Sequence, residues 1–115
     1  MVKQLLFIVL NKTMILNRLL ADLSENGIKG ATVISSIGMA GALASAEENM
    51  SFSPFKMLFE NVGEENKTIF MVIDEEKIYV VRNILTNLVG DLSKPNTAFM
   101  FAVPITFVDG ITCIN

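Results

Sequence analysis

The sequence predicts an α+β fold in which two strand–helix–strand halves form one antiparallel sheet backed by two helices. Two segments share one pattern: LFIVLN at 6–11 and IFMVID at 69–74 both place Phe second, Val fourth and a short polar residue last. Each segment precedes an apolar stripe at helical spacing and then a second strand-like run. We therefore expect the repeated segment to be the first strand of each half.

The first half begins with an almost unbroken apolar strand at 5–10. Asn11 is predicted to cap the following helix, because its side chain can accept from free N–H groups. The apolar stripe of that helix consists of Ile15, Leu16, Leu19, Leu20 and Leu23. Gly27 is predicted to end it in a left-handed conformation. The β-branched residues of KGATVISSI then favour a strand through about Ile37.

The second half repeats this order. TIFMVI is predicted to be a strand and Asp74 a helix cap, with Glu75 and Glu76 at the positive end of the next helix dipole. The helix stripe consists of Ile78, Val81, Leu85 and Leu88. Gly90 is predicted to close the helix, and TAFMFAVP is a last strand stopped by Pro104.

Two such split units in one sheet make a ferredoxin-like βαββαβ sandwich, predicted as a single domain over 1–115. The connection at 38–66 is long for a compact domain, and such connections are generally functional or disordered. Within it, FSPFKM predicts a short helix at about 54–60, with Ser53 as the N-cap. Its aromatic residues are expected either to pack on a sheet, of the same or a neighbouring subunit, or to form a docking patch.

The composition indicates subunit contacts. The chain has 115 residues, of which 51% are hydrophobic, and a mean hydropathy of +0.50. A domain of this size has too little interior to bury so much apolar surface alone. The excess therefore predicts an oligomer.

Charge and residue usage exclude several classes of function. The net charge is −3 without a basic cluster, which argues against nucleic-acid binding. The chain has no His and one Cys, so disulfides within the chain and the usual zinc sites are not expected, and the commonest general base is missing. The first apolar run is too short for a signal peptide, and no run is long enough to cross a membrane. We expect a cytoplasmic protein that does not insert into membranes.

The segment at 23–41, LSENGIKGATVISSIGMAG, resembles the PII nitrogen-regulatory signal proteins. In that family a Gly-Ile-x-Gly-x-Thr-Val strand leads into a Gly-aromatic-Gly turn and the long T-loop. The match here is GIKGATV at 27–33, followed after the strand by Gly38, Met39 and Ala40. The predicted elements also fall in the family's order, so the resemblance covers nearly the whole chain.

The resemblance implies a homotrimer with effector sites in the clefts between neighbouring subunits. Members of the family bind ATP or ADP there, often with 2-oxoglutarate, and reshape the T-loop to engage a target protein. For this chain it implies a regulatory protein rather than an enzyme, which presents the 38–66 loop to a partner when a small anionic effector binds.

The resemblance also supplies candidate effector-binding residues. Thr32 occupies the place of the family's adenine-contacting threonine, and Gly38 that of the first turn glycine. Met39 stands where an aromatic residue is usual, and Lys67 stands in for a lysine at the exit of the loop. The remaining candidates are Gly90, which precedes the stretch that corresponds to the family's phosphate loop, and Lys94, which lies within it.

Several departures from the family bear on the effector. Ala40 replaces the second turn glycine, and the phosphate-loop motif Gly-Asp-Gly-Lys is replaced by DLSKPNTAF, which keeps Lys94. The tail ITFVDGITCIN lacks the family's pair of arginines, and the 38–66 loop has no tyrosine to modify. The predicted effector is therefore either an adenine nucleotide such as ATP or ADP, held less tightly than in typical members, or a different small metabolite.

Two alternatives remain open. One is a ligand-free or metal-tolerance-type trimeric scaffold of the same fold, for which the absence of His disfavours a metal site. The other, ranked last, is a small enzyme with a carboxylate base in the cleft. No catalytic or metal-binding residue is assigned.

Overall fold

The computed structural model describes residues 2–48 and 65–110. Within them the strands are β1 (Lys3–Leu10), β2 (Thr32–Ile37), β3 (Glu65–Asp74) and β4 (Ala98–Pro104), and the α-helices are α1 (Leu16–Glu25), α2 (Met39–Glu48) and α3 (Ile78–Val89). Short 3-10 turns at Thr13–Ile15 and Glu75–Lys77 lead into α1 and α3. The short helix predicted at about 54–60 lies outside the described residues.

The four strands form one antiparallel sheet in the order β2-β3-β1-β4. The first strands of the two halves, β1 and β3, are its central strands, and Phe7 of one lies opposite Phe70 of the other. On its other side β1 pairs with β4, which brings Phe101 opposite Phe7. The predicted ferredoxin-like arrangement is confirmed.

One face of the sheet carries the core. Alternate residues of β1 and β3 point to the side covered by α1 and α3, because successive strand residues alternate between faces. The buried apolar side chains are Leu6, Ile8, Leu10, Leu19, Leu23, Ile28, Ile69, Met71, Ile73, Val81, Leu85, Val89 and Ala98. The helical stripes predicted from the sequence supply the helix side of this core.

Two glycines end helices as predicted. Gly27 follows α1 with φ +81°, and Gly90 follows α3 with φ +86°. An L-residue with a side chain rarely adopts such a conformation, so glycine suits both positions. The chain leaves the C-terminal ends of the two helices at these glycines and returns to the sheet, toward β2 after Gly27 and toward β4 after Gly90.

Both predicted side-chain caps are wrong. Neither Asn11 nor Asp74 donates or accepts a side-chain cap hydrogen bond at the following helical turn. The Asn11 side chain instead accepts from Asn66, and the Asp74 carboxylate pairs with Lys3. Partners far away in sequence thus replace the local capping interaction at both sites.

The long connection is partly regular where the structure describes it. Helix α2 begins directly after Gly38, and β3 begins at Glu65, three residues before the strand predicted from TIFMVI. The alanine-rich segment MAGALASAEE has good helix formers, which accounts for α2. The α2 helix was not foreseen from the sequence.

No helix within the described ranges is both long enough and apolar enough to span a bilayer.

Candidate functional site

Most of the candidate residues lie at one end of the sheet. We call this the upper end, and it is formed by Leu10, Ile37, Glu65 and Ala98, at which the four strands begin or end. Here the long connection leaves β2 and returns to β3, and the 90–97 loop joins α3 to β4. Two connections that do not follow one another in sequence therefore emerge at the same end of the sheet.

The candidates at the upper end are divided between the two edges of the sheet. Gly38 and Met39 follow β2, whereas Gly90 and Lys94 belong to the loop that precedes β4. Strands β3 and β1 lie between these edges, so three strand spacings, about 14 Å, separate β2 from β4. One subunit does not bring the two groups together around a small ligand.

Thr32 lies away from the other candidates. It is at the opposite end of β2, where it is exposed and pairs with Phe70. Six residue steps along the strand separate it from Gly38, which corresponds to about 20 Å. An effector that contacts both residues of one subunit has to lie along most of β2.

Lys67 has partners within its own subunit. Its ammonium group donates to the Ser35 hydroxyl at 2.7 Å and pairs with the Glu65 carboxylate at 3.2 Å. The hydrogen bond and charge of Lys67, together with the Ser35 hydroxyl, hold the pKa of Glu65 below its ordinary value. An anion bound by Lys67 would therefore compete with a carboxylate that is already present.

The 90–97 loop is also closed by its own carboxylate. Oδ1 of Asp91 accepts from the Ser93 backbone N–H at 2.9 Å and from the Ser93 hydroxyl at 2.8 Å. These hydrogen bonds, the backbone one first, hold the pKa of Asp91 below its ordinary value. Both donors of Ser93 are therefore occupied, while the Lys94 residue beside it is exposed.

Four residues that sequence reasoning did not select link the two connections. Asn66 and Thr97 are the buried polar residues of the described part of the chain, each 7% exposed. The Asn66 amide donates to Asn11 at 3.3 Å, and the backbone N–H groups of Asn11 and Lys12 both donate to the Thr97 carbonyl, at 3.0 and 3.2 Å. Asn66 lies in the polar run ENKT before the apolar part of β3, so nothing in the sequence indicated that it is buried.

The sheet face opposite α1 and α3, which we call the open face, is strongly apolar. Phe7 stacks on Phe101 with ring centroids 4.9 Å apart. The Phe70 ring lies 6.0 Å from that of Phe7, and the Phe99 ring lies 6.2 Å from that of Phe101. Yet Phe99 is 53% exposed and Phe101 46%. Exposed aromatic rings grouped in this way form a candidate contact surface.

The described residues contain no group of three or more His, Cys, Asp or Glu side chains close enough to hold a metal ion. An open cavity of about 960 Å³ lies at the lower end of the sheet, lined by Val2, Gln4, Glu75, Glu76, Ile78 and Tyr79. It includes none of the candidate effector-binding residues. The candidate site is therefore the upper end of the sheet, together with the face and edges that lead to it.

The fold is that of PII and PII-like proteins. Citrate-bound PII of Arabidopsis thaliana superimposes with a TM-score of 0.61 and 13% identity, over 90% of this chain and 78% of that one. A candidate PII-like signaling protein from Thermus thermophilus superimposes with a TM-score of 0.52 and 17% identity, over 90% of this chain and 86% of that one. A protein of unknown function from Pediococcus pentosaceus superimposes with a TM-score of 0.57 and 16% identity, over 96% of this chain and 97% of that one.

The likeness lies in structure and not in sequence. No family model matches the chain, and no curated protein matches it. At 13–17% identity the three structures establish the fold and leave the residues of the site to be argued from this chain itself. The predicted fold class agrees with what these structures show.

Proposed function

We propose that this chain is a PII-like regulatory protein that assembles as a homotrimer and binds a small anionic effector between subunits. The observation that carries the proposal is the division of the candidate residues between two edges beside an apolar open face. Two further copies of the chain are the occupants of that face that also complete the site. Each interface then places the β2 edge of one subunit against the 90–97 loop of the next.

The aromatic row supports the proposed trimer. Phe7, Phe99 and Phe101 form an aromatic surface, and a monomer leaves Phe99 and Phe101 about half exposed to water. A head-to-tail contact that repeats by rotation closes into a ring when the angle permits, and every open face is then covered. The high mean hydropathy of the chain, +0.50, is consistent with this burial.

The effector is an anion in this proposal. Lys94 is exposed beside its loop, and Lys12 is held next to the same loop through its backbone bond to Thr97. The citrate bound to the Arabidopsis protein, which has the same fold, supports a small carboxylate as the effector. An adenine nucleotide, ATP or ADP, is the other effector considered, contacted through Thr32, Gly38 and Met39 as well as Lys67, Gly90 and Lys94.

The mechanism is a shift between conformations of the connection at 38–66. An effector held between Lys94 of one subunit and the Gly38 region of the next favours one arrangement of the connection. That arrangement presents a surface to a target protein in the cytoplasm. The effector can shift the equilibrium only by the difference between its affinities for the two arrangements.

Light scattering and calorimetry test this proposal. At micromolar concentration we expect the mass of three subunits of 12.6 kDa each. Titration with ATP, ADP, cyclic AMP and citrate should give heat for at least one of them, and Lys94→Ala should weaken that binding about tenfold. Arg82→Ala, which removes an exposed cation from α3, is the matched control and should bind as the unaltered protein does.

A second candidate is a trimeric scaffold that binds no effector. It is favoured by the two carboxylates that already occupy the donors of the site, Glu65 on Lys67 and Asp91 on Ser93. A trimer that gives no heat with any of the four compounds supports this candidate. Heat on titration with copper or zinc would then assign it to the metal-tolerance type, whereas a single-subunit mass rejects both candidates.

A further inference from the structure

A chain of hydrogen bonds crosses the upper end of the sheet from Asn66 to Lys94. Gly38 is a neighbour of Asn66, because a Cβ atom added to Gly38 would lie 3.4 Å from the Asn66 amide nitrogen. Asn66 donates to Asn11, whose backbone N–H donates to Thr97. The Thr97 hydroxyl in turn donates to the Lys94 carbonyl at 2.9 Å.

The hydrogen bonds around Asn66 run in one direction. The Ser36 hydroxyl donates to the Asn66 side-chain oxygen, and the amide group of Asn66 then donates to the side-chain oxygen of Asn11. Because the Ser36 hydrogen is used in this way, the contact at 2.8 Å between Ser36 and Thr68 has Thr68 as its donor. Asn66 is thus fixed from both sides, at the place where the long connection rejoins the sheet.

Asn11 is the single residue through which the two buried polar residues communicate. Asn66 reaches it through the side chain and Thr97 through the backbone, and the buried side-chain polar atoms of the described residues all have a hydrogen-bond partner. Asn66 and Thr97 are buried, so a broken hydrogen bond at either leaves a donor or acceptor without a partner, which is costly. Asn11 itself is exposed, and a shift of either buried residue acts on it through these bonds.

We propose that Asn11 is a positioning residue that couples the 90–97 loop to both ends of the long connection within one subunit. A change of the 90–97 loop shifts the Thr97 carbonyl, and Asn11 follows because its backbone N–H donates to that carbonyl. The shift of Asn11 then moves Asn66, and with it the neighbouring Gly38. The inference rests on the proposed function, since it supplies the route by which an effector at Lys94 alters the connection. By linkage, a partner bound to the connection would change effector affinity by the same factor.

Hydrogen exchange of individual amides in the ligand-free full chain tests the coupling directly. In Asn11→Ala the backbone bonds to Thr97 remain possible while the side-chain bond to Asn66 is lost. We expect exchange to rise about two- to tenfold at the Ala42 amide, which donates to Gly38, and at the Lys94 amide, which donates to Asp91. Asn66→Ala removes the same hydrogen bond by changing its donor, and it should raise exchange at the Lys94 amide by the same factor.

Two further variants separate coupling from loss of stability. Asn11→Asp keeps an oxygen that accepts from the Asn66 amide and should restore the exchange rates of the unaltered protein. Asn17→Ala, on the exposed side of α1, should leave them unchanged. An Asn11→Ala effect confined to 11–13, a uniform rise throughout β1 and β3, or an Asn11→Asp variant that behaves like Asn11→Ala would each overturn the inference.

A ligand arm distinguishes this inference from the proposed function. With ATP or citrate added, the Ala42 amide resonance should shift in the unaltered protein and in Asn11→Asp, and at least fivefold less in Asn11→Ala at equal occupancy. If neither compound binds, the effector part of the proposed function fails, while the ligand-free exchange rates still decide the coupling. If a compound binds and shifts Ala42 equally in all three proteins, the coupling is rejected and the effector site stands.

Discussion

The two faces of the sheet are built from equally apolar residues but end up in different surroundings. Adjacent residues of β1 show the contrast: Ile8 is fully buried beneath the helices, whereas Phe7 lies on the open face, in contact with other rings and partly in water. One face is completed by α1 and α3 of the same chain. On the other, no helix of residues 2–48 and 65–110 buries Phe99 and Phe101, which are about half exposed.

This difference shows which face of the sheet a single chain can bury. An antiparallel sheet commonly carries polar residues on its solvent side, whereas a strand buried on both faces has a near-continuous apolar run. The central strand β1 has the second pattern, LLFIVL, although only one of its faces is covered here. The open face is therefore suited to contact with other subunits, which is the basis of the proposed trimer.

The largest expected effect comes from a charge placed on the open face. Phe101→Glu puts a carboxylate beside Phe7 at the proposed centre of the assembly, where it has no cation to pair with. We expect the mass measured by light scattering to fall from three subunits to one. Asn83→Glu, which adds the same charge on the exposed side of α3, should remain trimeric. A trimeric Phe101→Glu protein would contradict this use of the open face.

The next largest effect compares the two faces within one strand. In the Phe101→Glu background, Ile8→Ala should lower the free energy of unfolding by about 2–5 kcal/mol, because it leaves a cavity under the helices. Val9→Ala, one residue further along on the open face, should cost about 1 kcal/mol or less, since Val9 is only half buried. Urea denaturation measures both changes, and equal losses would mean that the faces do not differ in burial.

The covered face could be predicted from the sequence because its signals are local. The stripes that contain Leu19 and Leu23 in α1, and Val81 and Leu85 in α3, have helical spacing, and these residues are buried as expected. The glycines that end the two helices, Gly27 and Gly90, were predicted on the same local grounds. Periodicity along the chain is enough when one helix packs on one sheet.

The upper end of the sheet could not be predicted in this way, since its contacts join residues distant in sequence. Asn11 and Asp74 have the propensity of helix caps, but Asn66 and Lys3, 55 and 71 residues away in the chain, take up their side chains. The candidates carried over by resemblance were placed at two edges of the sheet for the same reason. Spacing along the chain does not show that β3 and β1 lie between β2 and β4 and so keep the two groups of candidates apart.

An ion pair at the lower end of the open face gives a smaller effect. Lys3 and Asp74 pair across β1 and β3, and their side chains are only 20% and 13% exposed. Asp74→Asn should lower the free energy of unfolding by about 1–3 kcal/mol, because it leaves the Lys3 ammonium with a weaker partner in a poorly hydrated place. The measurement is again urea denaturation.

An exposed pair serves as the control for this prediction. Arg18 and Asp22 are one helical turn apart on α1, and the Arg18 side chain is 72% exposed. Asp22→Asn should cost only about 0.2–0.5 kcal/mol, since water and salt screen such pairs. If the two substitutions cost the same, the open face does not shield Lys3 from water more than the outer side of a helix does.

The smallest expected effects separate the two connections at the upper end by their response to pH and salt. The lowered pKa of Asp91 means that its ionised form stabilises the 90–97 turn fully above its ordinary pKa of 3.8, and that this contribution is lost as the pH falls through the lowered value. The same sign applies to Glu65, whose ordinary pKa is 4.5. The Asp91 turn and the interactions of Glu65 at the start of β3 should therefore weaken only in acid, below these ordinary values.

Salt should distinguish the two carboxylates because their partners differ in charge. The first cause of the lowered pKa of Glu65 is its hydrogen bond with the Lys67 cation, whereas Asp91 depends on the uncharged N–H and hydroxyl of Ser93. Raising the ionic strength to about 1 M shortens the screening length to about 3 Å. Titration followed by NMR should therefore show the pKa of Glu65 moving upward with salt while that of Asp91 stays in place. A shift of equal size at both would mean that Lys67 does not hold Glu65 and is free to bind an anion.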